Sequence, residues 1–93
     1  MKVSANEKNI NAGGYSFLCI FGTHINGGFL AIPNWNICVE LSEANDKDYN
    51  FCKIYDALCQ NIFITELKLS KEKIYAISNK LANEILKEGY GSE

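Results

Sequence analysis

The chain has 93 residues, 47% of them hydrophobic and 22% charged, with a formal net charge of −2. That composition describes one globular domain near the lower end of what folds alone, and excludes a disordered chain. All nine basic residues are lysine and none is arginine. The bidentate grip on phosphate and guanine is therefore missing, and direct duplex nucleic-acid binding is not expected.

Residues 1–13 are polar and asparagine-rich and read as a flexible N-terminal arm, punctuated by Gly13-Gly14. No apolar leader segment is visible there, and no apolar run approaches the roughly 18 residues that cross a bilayer. The expectation is a cytoplasmic protein of a bacterial host, with no membrane contact. Its four cysteines are then thiols. Their spacings of 19, 14 and 7 contain no paired zinc motif, so neither a metal nor a cofactor is predicted.

Residues 14–89 read as a single α+β domain. The run YSFLCIF, residues 15–21, has strand length and strand composition. Asn26-Gly27 is a strong hairpin signal, because both central residues of a type I′ turn need positive φ. With those two in the loop, Ile25 pairs with Gly28. One face of the hairpin then receives Phe17, Cys19, Phe21, Thr23, Leu30 and Ile32, and the other Leu18, Ile20, Gly22, His24, Phe29 and Ala31. Both faces are apolar near the base.

Pro33-Asn34 interrupts the second strand. Residues 36–41 alternate, with Ile37, Val39 and Leu41 against Asn36, Cys38 and Glu40, as a third antiparallel strand. Asn45 or Asp46 starts a helix over residues 48–60, on a stripe of Phe51, Ile54, Tyr55 and Leu58. Residues 62–69 (IFITELKL) alternate again and predict a fourth strand at the sheet edge. Ser70 caps a last helix whose core face is Ile74, Ile77, Leu81 and Ile85; Gly89 ends it, and residues 90–93 form a tail. The predicted order is β-β-β-α-β-α, a mostly antiparallel four-stranded sheet with two helices on one face.

No arrangement in the sequence names a reaction, and no catalytic residue is predicted. His24 is the only histidine and sits near a hairpin tip; Cys19, Cys52 and Cys59 read as core thiols. The glycine pairs fit no phosphate-cradling pattern. Pro33-Asn34-Trp35-Asn36 is the strongest binding candidate, because tryptophan at a strand-joining turn can stack on a ligand or fill a partner's pocket. Folding back over the sheet edge is the structural alternative. Asn34, Trp35 and Asn36, with Tyr49, Asn50 and Tyr55, form the predicted binding set. Glu40, Glu43, Asp46 and Asp48 form a predicted acidic patch that would steer a basic partner.

The run GGFLAIPNWNICVELS, residues 27–42, followed by Asp48-Tyr49-Asn50, resembles small phage and mobile-element proteins of low-GC bacteria. The resemblance implies a setting, action against a host defence system, and carries over no functional residue. The residues together with that resemblance leave three functions open. The first is a non-enzymatic inhibitor that binds a host protein complex in the manner of an anti-CRISPR protein. The second is an oligomeric sponge for a nucleotide-derived signal, using Trp35, Tyr49 and Tyr55 for stacking. The third is a small enzyme built on cysteine and His24. Because the hairpin is apolar on both faces, a homo-oligomer, most simply a dimer, is also expected.

Overall fold

A computed structural model of the chain describes residues 4–25 and 27–90. Four antiparallel strands, β1 (Ser4–Ala12), β2 (Tyr15–His24), β3 (Gly27–Ile32) and β4 (Ile37–Leu41), lie side by side in chain order. Three helices follow: α1 (Lys47–Gln60), α2 (Ile62–Leu67) and α3 (Lys71–Glu88). A single 3-10 turn, Pro33–Trp35, joins β3 to β4. The expected α+β fold with a four-stranded antiparallel sheet is present, but its fourth strand is not the one predicted.

That strand is β1, in the segment expected to be a flexible arm. Gly13 and Gly14, with φ of +59° and +87°, form a tight turn that folds β1 back onto β2. Only Ile10 and Ala12 of its inward residues are apolar. The others meet the polar end of α3: Asn6 Nδ2 donates to the Gly89 carbonyl at 2.7 Å, and Lys8 Nζ bridges Glu84 and Glu88 at 2.9 and 2.7 Å. A strand whose inner partners are carboxylates has no need of apolar alternation, so it resembles a loop by composition.

Residues 62–69 are the reverse case, a predicted strand that is a short helix. Asn61 Oδ1 accepts from the Ile64 N–H at 3.0 Å, and Lys68 ends the helix in the left-handed conformation. Only Ile64 turns inward. β-branched content favoured a strand, but the asparagine cap starts a helix and the positive φ at Lys68 (+55°) stops it after six residues.

The β2–β3 hairpin also differs in detail. His24 pairs with Gly27 and Phe21 with Leu30, so the loop is residues 25–26 rather than Asn26-Gly27. Asn26 itself lies outside the described residues. The slip is two residues, and side-chain parity is kept. Phe17, Cys19, Phe21, Leu30 and Ile32 are fully buried beneath the helices, together with Ile54, Leu58, Ile77, Leu81 and Ile85. Burial pushes the Cys19 thiol up to about 12, as suits a packed side chain and not a nucleophile. Cys52 and Cys59, expected in the core, are exposed and half-buried.

Both long helices start and stop where the sequence places them. Asp46 caps α1, accepting from the Asp48 and Tyr49 N–H groups, and Ser70 caps α3. Tyr90, assigned to the tail, is buried instead and lies against Gly28, where a Cβ would come within 3.0 Å of its ring and 2.7 Å of the Ser42 carbonyl. Residues 91–93 of that tail, and 1–3 of the arm, lie outside the described residues.

Candidate functional site: a cleft between the Trp35 turn and α2

Pro33 opens the 3-10 turn, where its missing N–H costs nothing, and Asn36 closes it in the left-handed conformation (φ +55°). The turn takes β3 out of the sheet just where β2 still needs a neighbour. Asn34 fills that gap with its side chain. Its Oδ1 accepts from the Leu18 N–H at 3.1 Å and its Nδ2 donates to the Ser16 carbonyl at 3.1 Å. A carboxamide here does the work of a strand's peptide group.

Trp35 follows the same logic. Its Nε1 donates to the Ser16 carbonyl at 2.8 Å, its rings stack on Phe17 with centroids 5.1 Å apart, and Tyr15 meets it edge-on at 5.6 Å. The indole is half-buried, with its one polar atom satisfied. Its own carbonyl accepts from Asn61 Nδ2 at 3.0 Å. Asn61 thus caps α2 with one side-chain atom and ties α2 to the turn with the other.

Between these two anchored elements lies a cleft of about 390 Å³, lined by Ser16, Asn34, Trp35, Phe63, Glu66 and Leu67. Phe63 and Leu67, four residues apart on α2, are 48% and 39% exposed. Among the described residues Glu66 is the only charged lining group. Lys68 and Lys71 line a separate groove of about 200 Å³ with Cys59.

The predicted binding set is divided by the fold. Asn34 and Trp35 share the cleft, and Asn36 faces a different hollow beside Cys38 and Gln60. Asn50 is fully buried at 0% exposure and is a structural residue. Its Oδ1 accepts from the Ser42 N–H at 2.8 Å, and its Nδ2 donates to Asn45 Oδ1 and Tyr90 Oη at 3.0 and 3.1 Å. Burial raises the Tyr90 phenol pKa, partly offset by that bond. Tyr49 is exposed beneath Lys53 at 5.6 Å, while Tyr55 joins Phe51 and Tyr75 on the helical surface. The acidic residues are divided as well, since Glu40 lies on β4 opposite Phe29, Glu43 is exposed in the following turn, and Asp46 and Asp48 start α1.

Phe63, Glu66, Leu67 and Asn61 are the site residues that strand reading missed. The available signal was Asn61 itself, a capping residue followed by Phe63 and Leu67 at helical spacing.

Fold and site together define a small α+β domain with a cleft of mixed polar and apolar lining at one end of its sheet. The chain belongs to DUF6618, a family of unknown function, whose model matches residues 1–77. Comparisons with curated proteins and with solved structures give no match. Among the described residues no three of His, Cys, Asp and Glu come together as a metal site would need, and no helix is long and apolar enough to cross a membrane.

Proposed function

We infer that the domain is a non-catalytic protein-binding module, and that the cleft beside Trp35 receives an apolar side chain of its partner. The observation that carries this is the exposure of Phe63 and Leu67 on a helix whose position Asn61 already fixes. Ile64 is the one buried residue of that helix. The remaining apolar surface is available to a partner, and a wall that is already ordered loses little entropy on binding. Trp35 supplies the aromatic floor that binding hot spots favour.

The cleft's charge separates the two binding readings. A nucleotide brings phosphates, and Glu66 would repel them with no lysine in the lining. That favours a protein partner over a nucleotide sponge. An enzyme of cysteine and His24 draws no support from the layout. Cys19 faces the helices, whereas His24 stacks on Phe29 on the other face. On that other face, Cys38 pairs with Ala31 and His24 with Gly27, four residues or about 13 Å apart along β3. The resemblance of residues 27–50 to phage and mobile-element proteins supports the particular form of an anti-defence inhibitor acting on a host protein complex.

The test compares tagged wild type with Phe63→Asp and with Leu86→Asp, an equally exposed apolar site on α3. Each is mixed with lysate of a low-GC bacterium, and retained proteins are quantified by mass spectrometry. At least one protein should be held by wild type and Leu86→Asp and lost by Phe63→Asp. Identical profiles for all three would overturn the assignment of the cleft. Trp35→Ala is a poorer probe, because the indole also packs on Phe17.

A further inference from the structure

The helices cover one face of the sheet, and the register defines what the other presents. Ile20 on β2 lies opposite Ala31 on β3, with Leu18 two residues further along β2 and Phe29 two residues back along β3 opposite Gly22, all four half-buried. They form an apolar strip two strands, or about 10 Å, wide. Exposed carboxylates bracket it: Glu7 on β1 lies opposite Ile20, and Glu40 on β4 lies opposite Phe29. Among the described residues this face holds no lysine. Lys8 turns to the helix side to meet Glu84 and Glu88, and the other described lysines lie on α1, on α3 or at the end of α2.

Width and charge together select the occupant. An α-helix is about 10 Å across, the width of the strip. A phosphate backbone would meet carboxylates at both edges. Among its described residues, a second copy of the chain would bring two further carboxylates and no lysine to the contact. Four strands of 9, 10, 6 and 5 residues give the whole face a planar area of roughly 480 Å², against about 800 Å² of accessible surface per partner in a typical stable complex. We propose that this open face docks an amphipathic helix of a partner protein, with its apolar stripe on Leu18, Ile20, Phe29 and Ala31. Lysine or arginine on both flanks of that helix pairs with Glu7 and Glu40. The surface adjoins the Trp35 cleft at Ser16 and Leu18 but does not include its far wall of Phe63 and Leu67 on α2, and the indole packs on the helix-side residue Phe17.

The probe is a fluorescent amphipathic peptide of four helical turns with leucine on one stripe and lysine on both flanks. A second peptide keeps the leucines and carries glutamate on the flanks. By fluorescence anisotropy, wild type should bind the lysine peptide at least about tenfold more tightly than the glutamate peptide. Glu7→Lys with Glu40→Lys should reverse that preference, and Phe29→Asp should abolish binding. Phe63→Asp should leave it unchanged, which separates this surface from the cleft. Equal binding of the two peptides to wild type overturns the proposal, as does binding that is lost in Phe63→Asp. A solution mass of twice 10.4 kDa that reverts to monomer in Phe29→Asp would show the occupant to be a second copy, and also overturns it.

Discussion

The molecule carries two clusters of asparagine and aromatic side chains, one at each end of the sheet. At one end Asn50, Asn45 and Tyr90 close on one another and on the Ser42 N–H, burying Asn50 and Tyr90. At the other, Asn34, Asn61 and Trp35 are equally satisfied, yet Phe63 and Leu67 remain half in water beside them. The first cluster uses all of its surface for folding. The second uses its polar atoms to fix two walls and leaves the apolar ones open. The difference lies in which atoms remain unspent, and that is what separates a scaffold from a binding surface.

Removing Asn50 should show the largest effect. Asn50→Ala leaves a part-buried N–H at Ser42 and two other polar groups without their partner, and should cost about 3 kcal/mol in urea denaturation. A loss below about 1 kcal/mol would mean that water replaces the amide, and the contrast between the two ends would weaken. Asn34→Ala removes two hydrogen bonds at a more exposed position and should cost about 1–2 kcal/mol by the same assay. A cost equal to that of Asn50→Ala would place the two clusters in one class.

The smallest effect belongs to the edge of the sheet. Hydrogen bonding to Lys8 lowers the Glu84 pKa, and Glu88 and Glu84 raise that of Lys8. The Glu84 contribution is present above the ordinary glutamate range and is lost as pH falls through its depressed folded value. That of Lys8 is lost only as pH rises through its elevated folded value, above the ordinary lysine range. Lys8→Met should therefore lower the melting temperature slightly near pH 7, with the difference fading in acid. A difference that grows toward low pH would contradict the pairing.

The core of this fold was legible in the sequence. Phe17, Phe21, Leu30 and Ile32 alternate, Ile74, Ile77, Leu81 and Ile85 recur at helical spacing, and Asp46, Ser70 and Gly89 mark helix ends, so periodicity and capping agree. β1 was not legible, because its inward Asn6 and Lys8 answer α3 carboxylates and a carbonyl 76 to 83 residues away. α2 was not, because six residues are too few for a helical period to show above a β-branched composition. The cleft was half legible. The Pro33–Trp35 turn announced itself, whereas its opposite wall depended on reading Asn61 as a cap. Asn50 looked like a binding residue because type and position cannot reveal a hydrogen-bond network closed by Tyr90, forty residues away.

The most direct test of the cleft is calorimetric titration of the captured partner against wild type, Phe63→Asp and Leu86→Asp, with urea denaturation of each protein. The account predicts that Phe63→Asp binds at least about 30-fold more weakly, as loss of a hot-spot aromatic implies. Its folding stability should stay within about 0.5 kcal/mol of wild type, as for a surface substitution. Unchanged affinity for Phe63→Asp, with the loss appearing instead in Leu86→Asp, would contradict it.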